Sequence, residues 1–483
     1  MRIASMAERR SCLIALPLLL ASGCAVGPDY HAPAQSAPAS WQATAAAPDS
    51  ALQSAAVSDD AQALKHWWTW FEDPSLTALM DMAIAQNIDV RTAMSRVAAA
   101  RAERRAAQAG VGPQLGMGIG SERTQNPMPG LAPGLTFTQH EIGFDARWEI
   151  DLFGRQKRRV EAATAHIDAT QADVQAAMTV LCAEVARSYF ELREADAELR
   201  YLEAAIALSS KDAQHAARLA DAGIGSRDAA LAADARIATA RTRLIAEQLA
   251  RDTLQRQIEQ LLAVEPGKLA VALSAREQAL PQFAPRLLLT PAAVLRNRPD
   301  IQRAERQLAA ATALKAAAIA DMYPRVSIAM FFGLRNTALS ALMSIASKSW
   351  SGGGSVLQPL FDGGRLRAMV EVRNADIDAA LLAYEGATLA ALHETESALA
   401  QWLAAEQTRE AQLARLRASE ESVALARHRQ AQGIASAQDV IATELAELEA
   451  RAQWSRSQAA VTIATVAVLK ALGAGIQHED LGG

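Results

Sequence analysis

The chain repeats itself once, with a period of about 210 residues. Asp89 opens a helical stretch that closes at Gly112-Pro113, and Asp300 opens another that closes at Tyr323-Pro324, an offset of 211 (89 to 300, 113 to 324). Leu152-Phe153-Gly154-Arg155 is echoed by Leu360-Phe361-Asp362-Gly363-Gly364-Arg365. Gly223-Ile224 through Asp228 returns as Gly433-Ile434 through Asp439, at offsets of 210 and then 211. Landmarks that keep their order and spacing mark a duplicated architectural unit rather than a catalytic domain with an accessory.

Between the landmarks lie long helices. Arg155 to Ala222 contains no proline and no glycine over 68 residues, and Arg365 to Gln432, also 68, contains only Gly386. One continuous helix of that size is about 100 Å long. Each ends at a Gly-Ile turn and returns as a shorter helix, Ser226 to Ala263 and Ser436 to Leu472. A further helix over 87–109 precedes the first strand region and is stopped by Gly110 and Pro113. Two short helices end to end nearly match one long one. The pattern predicts a long helix beside two coaxial short ones, twice over. Residues 41–85 and 265–291 would form a collar where the short helices meet. In the first of these segments His66-Trp67-Trp68-Thr69-Trp70-Phe71 reads as packing onto the body, with Asp73 or Ser75 capping the next helix.

Short strands flank the long helices. Over 138–150, Ile142, Phe144, Ala146, Trp148 and Ile150 alternate with Gly143, Asp145, Arg147 and Glu149, the period-two signature of a strand with one apolar face. Residues 114–124, 325–335 and roughly 348–358 supply three more, and Gly352-Gly353-Gly354 reads as a strand or loop element rather than a phosphate loop. Asn126, Pro127, Pro129, Gly130, Pro133 and Gly134 make the intervening segment a loop. Strands of this length suit a tilted membrane-barrel strand of about 9–11 residues. Four strands cannot close a barrel, and open edges in lipid would go unsatisfied. Either the strands are not in a membrane or several chains share one barrel, and the shared barrel is the preferred expectation.

The front end reads as an export signal over residues 1–23: Arg2, Arg9 and Arg10, then an apolar core from Cys12 to Ala21, then Ser22-Gly23-Cys24. That core is too short to span a bilayer as a helix. Its loss moves the formal net charge from −5 to −7, since three arginines leave with Glu8. The balance offers no footprint for nucleic acid. Of the three cysteines, Cys12 departs with the signal and Cys24 stands at the cleavage point, so Cys182 is left alone as a small core residue and no intrachain disulfide is available. The eight histidines are scattered, and neither a catalytic nor a metal-binding constellation is present; cofactors are not expected. Residues 24–85 read as a tether and an equatorial segment, 86–289 and 290–475 as the two repeats, and 476–483 as a tail.

Leu20-Ala21-Ser22-Gly23-Cys24 resembles a bacterial lipobox, with Ala21 where leucine is usual, which would make Cys24 the site of acylation. Ala25 rather than aspartate favours the outer membrane. Cys24 with Gly27-Pro28-Asp29-Tyr30, the run from Trp67-Trp68 to Asp73-Pro74-Ser75-Leu76, the junctions at Asp151 and Pro359, and the two turns together resemble the outer-membrane factor family, the exit ducts of tripartite efflux systems, over nearly the whole mature chain. The resemblance implies a mainly α protein with a membrane β-barrel: a homotrimer with a twelve-stranded barrel, four strands per chain, and a long periplasmic α-helical tunnel. It implies a lipid-anchored outer-membrane duct extending into the periplasm of a Gram-negative bacterium. Its partners would be a periplasmic adaptor, an inner-membrane transporter of the resistance-nodulation-division class and outer-membrane lipid. Asp228 and Asp439 match the family's periplasmic carboxylate rings, with Arg227 beside the first and Arg429 a candidate partner for the second. Ala435 and Ala442 stand where some members carry further charges. Gly223, Ile224, Gly225, Ser226, Gly433, Ile434 and Ser436 match the docking site for the adaptor's hairpin tips. Simpler roles stand beside these: both aspartates could serve the first turn of a returning helix, with Ser226 and Ser436 as alternative caps, and the glycines could be plain helix ends. A channel for type I protein secretion and a periplasmic coiled-coil scaffold without a pore are the competing functions.

Overall fold

The computed structural model describes residues 25–34, 36–46, 56–125, 136–269 and 287–475. The export signal, Cys24, the loop 126–135 and the tail 476–483 lie outside them. In chain order the elements are α1 (Gln42–Ala46), β1 (Ala56–Ser58), α2 (Pro74–Gln86), α3 (Ile88–Ala109), β2 (Gln114–Gln125), β3 (Thr136–Ile150), α4 (Arg155–Asp221), α5 (Arg227–Leu261), β4 (Leu287–Leu289), α6 (Pro291–Asn297), α7 (Pro299–Ala320), β5 (Arg325–Asn336), β6 (Lys348–Leu357), α8 (Arg365–Ala431) and α9 (Ala437–Ala471), with short 3-10 turns between. The long helices α4 and α8 have 67 residues each. Gly386 does not interrupt α8. No described helix is long and apolar enough to cross a membrane.

Contacts gather the chain into two units that each draw on both repeats. One comprises residues up to Pro33 with Ser95–Thr170 and Arg303–Glu385; the other comprises Ala34–Met94, Gln171–Gln302 and the chain from Gly386 onward.

The first unit holds a four-stranded antiparallel sheet in the order β2-β3-β5-β6, so among the described residues one edge of β2 and one of β6 have no strand beside them. Met117 pairs with Phe144, Phe144 with Phe332, and Phe332 with Trp350, which lays an apolar row across one face. Their exposures of 64%, 48%, 69% and 78% leave that row open to its surroundings, where hydrocarbon rather than water is the favourable neighbour. The opposite face carries Glu141, Asp145, Arg147 and Arg335 among glycines and serines. Gly143 and Gly333 face each other across β3 and β5, and the Phe331 ring lies on them, since a Cβ at Gly143 would sit 2.7 Å from that ring. Arg335 covers the other side of the ring at 3.8 Å from its centroid and donates to Glu141 at 3.0 Å. A large side chain is thereby flattened against the polar face.

The N-terminal segment is strapped along the same unit. Val26 N–H donates to the Phe153 carbonyl (3.2 Å), Asp29 meets Arg158 at 2.5 Å, and the Tyr30 hydroxyl donates to Glu305 at 2.6 Å. Gly27, at φ +93°, passes so close to Ala316 that a Cβ would collide with it at 2.7 Å.

In the second unit β1 and β4 pair in parallel, and Trp41 Nε1 donates to the Leu289 carbonyl (2.8 Å). Residues 41–46, 56–85 and 287–297 thus gather within this unit; 47–55 and 270–286 of the expected collar lie outside the described residues. Trp67, Trp68 and Phe71 are buried, with Phe71 against Phe190 of α4. Asp73, not Ser75, caps α2, and its second oxygen accepts from Tyr189 (2.8 Å) and Arg193 (2.9 Å). The short helices do meet end to end. Asn87 accepts from the N–H groups of Asp89 and Val90 at the start of α3, and its amide donates to the Leu261 carbonyl at the end of α5 (2.8 Å). In the second repeat Arg298 does the corresponding work, donating to the Ala471 carbonyl (2.7 Å) while it grips Asp300 and Glu394. Cys182 is buried in α4, and burial pushes its thiol up to about 12.

Candidate functional site

The expected site residues cluster at the two turns that join each long helix to its returning helix, both within the second unit. The first turn follows α4. Gly223 takes φ +74°, a left-handed conformation that suits glycine. The Leu219 carbonyl accepts from both Ile224 and Gly225 (3.0 and 2.9 Å), closing the end of the helix. Ser226 then caps α5 through its hydroxyl, which accepts from Asp228 N–H (3.1 Å) and donates to the Asp228 carboxylate (3.2 Å). Residues 221–228 are all exposed.

The second turn follows α8 in the same manner, with Gly433 at φ +75° and the Arg429 carbonyl accepting from Ile434 (2.9 Å) and Ala435 (3.3 Å). Here the aspartate stands one position further along the helix and completes a reciprocal cap. Ser436 accepts from Asp439 N–H (3.1 Å), while Asp439 accepts from the Ser436 N–H and hydroxyl (2.8 Å each). The backbone N–H of Ser436 holds the Asp439 carboxyl below its usual range, with the hydroxyl adding to the effect. Both aspartates therefore serve the first turn of a returning helix, whatever else they do.

Among the described residues neither Arg227 nor Arg429 forms an ion pair within one chain, and Asp439 is held by Ser436. Across the second hairpin Arg427 donates to Glu444 at 2.7 Å, and Arg451 of the returning helix meets Glu420 at 3.3 Å. Across the first hairpin the arginines sit on the returning helix, with Arg243 on Glu198 (2.9 Å) and Arg251 on Asp196 (3.1 Å). These cross-helix pairs were not foreseen. Their signal was there, in acids on one helix facing arginines on the other, but the contact needs the crossing geometry. Ile224 and Ile434 stand at the tips with exposures of 79% and 72%, offering an apolar contact on each turn. Among the described residues no cluster of acidic, histidine or cysteine side chains could hold a metal.

A sheet with an apolar outer row, a polar inner face and two free edges, joined to helices of about 100 Å, defines one class of protein: a membrane duct assembled from several chains. The comparisons place the chain within that class. Residues 79–264 and 290–474 match the outer membrane efflux protein family, one segment in each repeat. The outer membrane protein OprJ of Pseudomonas aeruginosa is 30% identical, with 87% of this chain and 86% of OprJ covered. The toluene efflux pump outer membrane protein TtgI of Pseudomonas putida is 30% identical, over 79% of this chain and 81% of TtgI. The solved structure of the outer-membrane channel OprN superposes with a TM-score of 0.83 at 32% identity, covering 94% of this chain and all of that one.

The chain belongs to the outer membrane efflux protein family. It has the fold of that family's channels: its four strands are one share of a twelve-stranded barrel closed by three copies, and its long helices are one share of a tunnel reaching into the periplasm. It is an outer-membrane exit duct for efflux in a Gram-negative bacterium.

Proposed function

We propose that the chain conducts small molecules passively to the cell exterior, receiving them from an inner-membrane pump through a periplasmic adaptor. The supporting observation is the division of the sheet into an apolar face and a face lined by Glu141, Asp145, Arg147 and Arg335, a lining suited to a watery passage. Energy is supplied by the pump; no catalytic step is assigned to this chain. The two turns form the periplasmic mouth. Gly223, Ile224, Gly225 and Ser226, with Gly433, Ile434 and Ser436, receive the adaptor's hairpin tips, with Ile224 and Ile434 as the apolar contacts. Three copies turn Asp228 and Asp439 into carboxylate rings whose mutual repulsion favours opening or bound cations, and Arg227 and Arg429 act between copies rather than within one. Acylation at Cys24 ties the strapped N-terminal segment to the outer membrane.

Reconstitution of the purified protein in planar bilayers tests the duct: discrete single-channel conductance is expected, and Asp439→Asn should lower its preference for cations. A protein that forms no conducting species at any voltage would end the proposal. Deletion should raise accumulation of pump substrates, and loss of a secreted protein with unchanged drug accumulation would favour type I secretion instead.

A further inference from the structure

The two places where a strand hands over to a long helix use the same letters to different ends. After β3, Asp151 comes first and caps α4, accepting from Lys157 N–H at 2.8 Å. Phe153 follows the cap and stacks on Tyr323, with centroids 4.9 Å apart and planes at 29°. Tyr323 lies two residues before β5, the strand bonded to β3. A ring at the foot of one strand thus packs at the foot of its neighbour. After β6 the order is reversed. The cap is Asp362, which accepts from Gly364 and Leu366 N–H groups at 3.0 Å each, and it follows the Leu-Phe pair. Leu360 and Phe361 are left outside the cap, 92% and 93% exposed.

The strand that would stand to β6 as β5 stands to β3 is β2, at the other free edge of the sheet. Barrel closure brings it there from the next copy. The repeat offset of 211 maps Tyr323 onto Gly112, where the ring is missing and a Cβ would meet nothing within 4 Å. Trp148 fixes this turn in place by donating to the Val111 carbonyl at 2.9 Å. Resting on the trimeric barrel, we infer that Phe361, with Leu360 beside it, seats on Gly112-Pro113 of a second copy of this chain and seals the foot of the barrel at each boundary between copies. The internal contact of Phe153 with Tyr323 is the template, and the open space beside Gly112 is where the ring comes to lie.

The test uses the full chain in outer-membrane vesicles. Phe361→Cys combined with Gly112→Cys should give covalent dimers and trimers on oxidation, and either substitution alone should give at most background. Phe361→Ala should lower the temperature at which the trimer dissociates in detergent, with Phe361→Leu restoring much of the loss. A nitroxide at position 361 should be shielded from lipid-dissolved oxygen relative to one at Trp350. If native mass measurement finds trimers but the double variant stays uncrosslinked and position 361 meets oxygen as freely as position 350, the occupant is lipid and the inference is overturned. If the unsubstituted chain forms no trimer, the shared-barrel reading itself fails.

Discussion

At the first turn, Leu219 holds two N–H groups at nearly equal distance; at the second, Arg429 holds one at 2.9 Å and lets the other out to 3.3 Å. The difference is one methyl group. Gly225 lies so close to the preceding helix that a Cβ would come within 2.8 Å of the Leu219 Cβ, whereas Ala435 occupies the corresponding position and its bond is longer. The caps differ as well: Asp228 stands two residues after its serine and Asp439 three, so only the second closes the reciprocal box. The first turn is tight at its carbonyl and thinly capped; the second is looser at its carbonyl and doubly capped. Duplication supplied one scheme, and single-residue drift moved its restraint from one side of the turn to the other.

The largest effect should come from the left-handed glycines. Gly433→Ala and Gly223→Ala should each cost about 1–2 kcal/mol, the penalty of placing a side chain at positive φ. Hydrogen exchange at the ends of α8 and α4 reads it, and equal losses would show that this feature is shared by both turns. Next, Ser436→Ala should open the start of α9 by about 1 kcal/mol, and Ser226→Ala should open α5 by less. The reverse ranking of exchange protection would break the comparison. Smaller still, exchanging Gly225→Ala with Ala435→Gly should cost about 0.5 kcal/mol, because the chain-entropy gain at 225 is matched by the loss at 435 and the added contact with Leu219 remains. A solved structure of the pair should show the long and short bonds trading places.

The pH response is the finest discriminator. The Asp439 carboxyl is depressed by its Ser436 bonds, so the restraint it adds is complete above the ordinary aspartate range near 3.8 and is lost as pH falls through the lower folded value. Protection at the start of α9 should stay flat from pH 7 to pH 5, after correction for intrinsic exchange, and fall only in stronger acid. A decline within that window would contradict the box.

Much of this was legible in the chain. The absence of glycine and proline from Arg155 to Asp221 leaves no place for a helix to end, and period-two alternation from Ile142 to Ile150 leaves no other surface than a two-faced sheet. The capping serines were visible because a hydroxyl before a helix has a local partner. What was not legible is the partner of each arginine. Arg427 rather than Arg429 reaches across the second hairpin, since the choice depends on how two helices rotate against each other. Asn87 and Arg298 perform one task with unrelated side chains, and no pattern search would pair them.

Local chemistry therefore determined the elements, the duplication and the need for a barrel larger than one chain, because propensity, punctuation and backbone satisfaction act within a few residues or on composition alone. Tertiary structure decided which of two similar turns is tight, which ring stacks and which stands exposed, and which acid each of these arginines meets. Those outcomes rest on how turns, helices and strands pack against one another, from six positions apart at the turns to 170 at the stacked rings, and no linear pattern carries them.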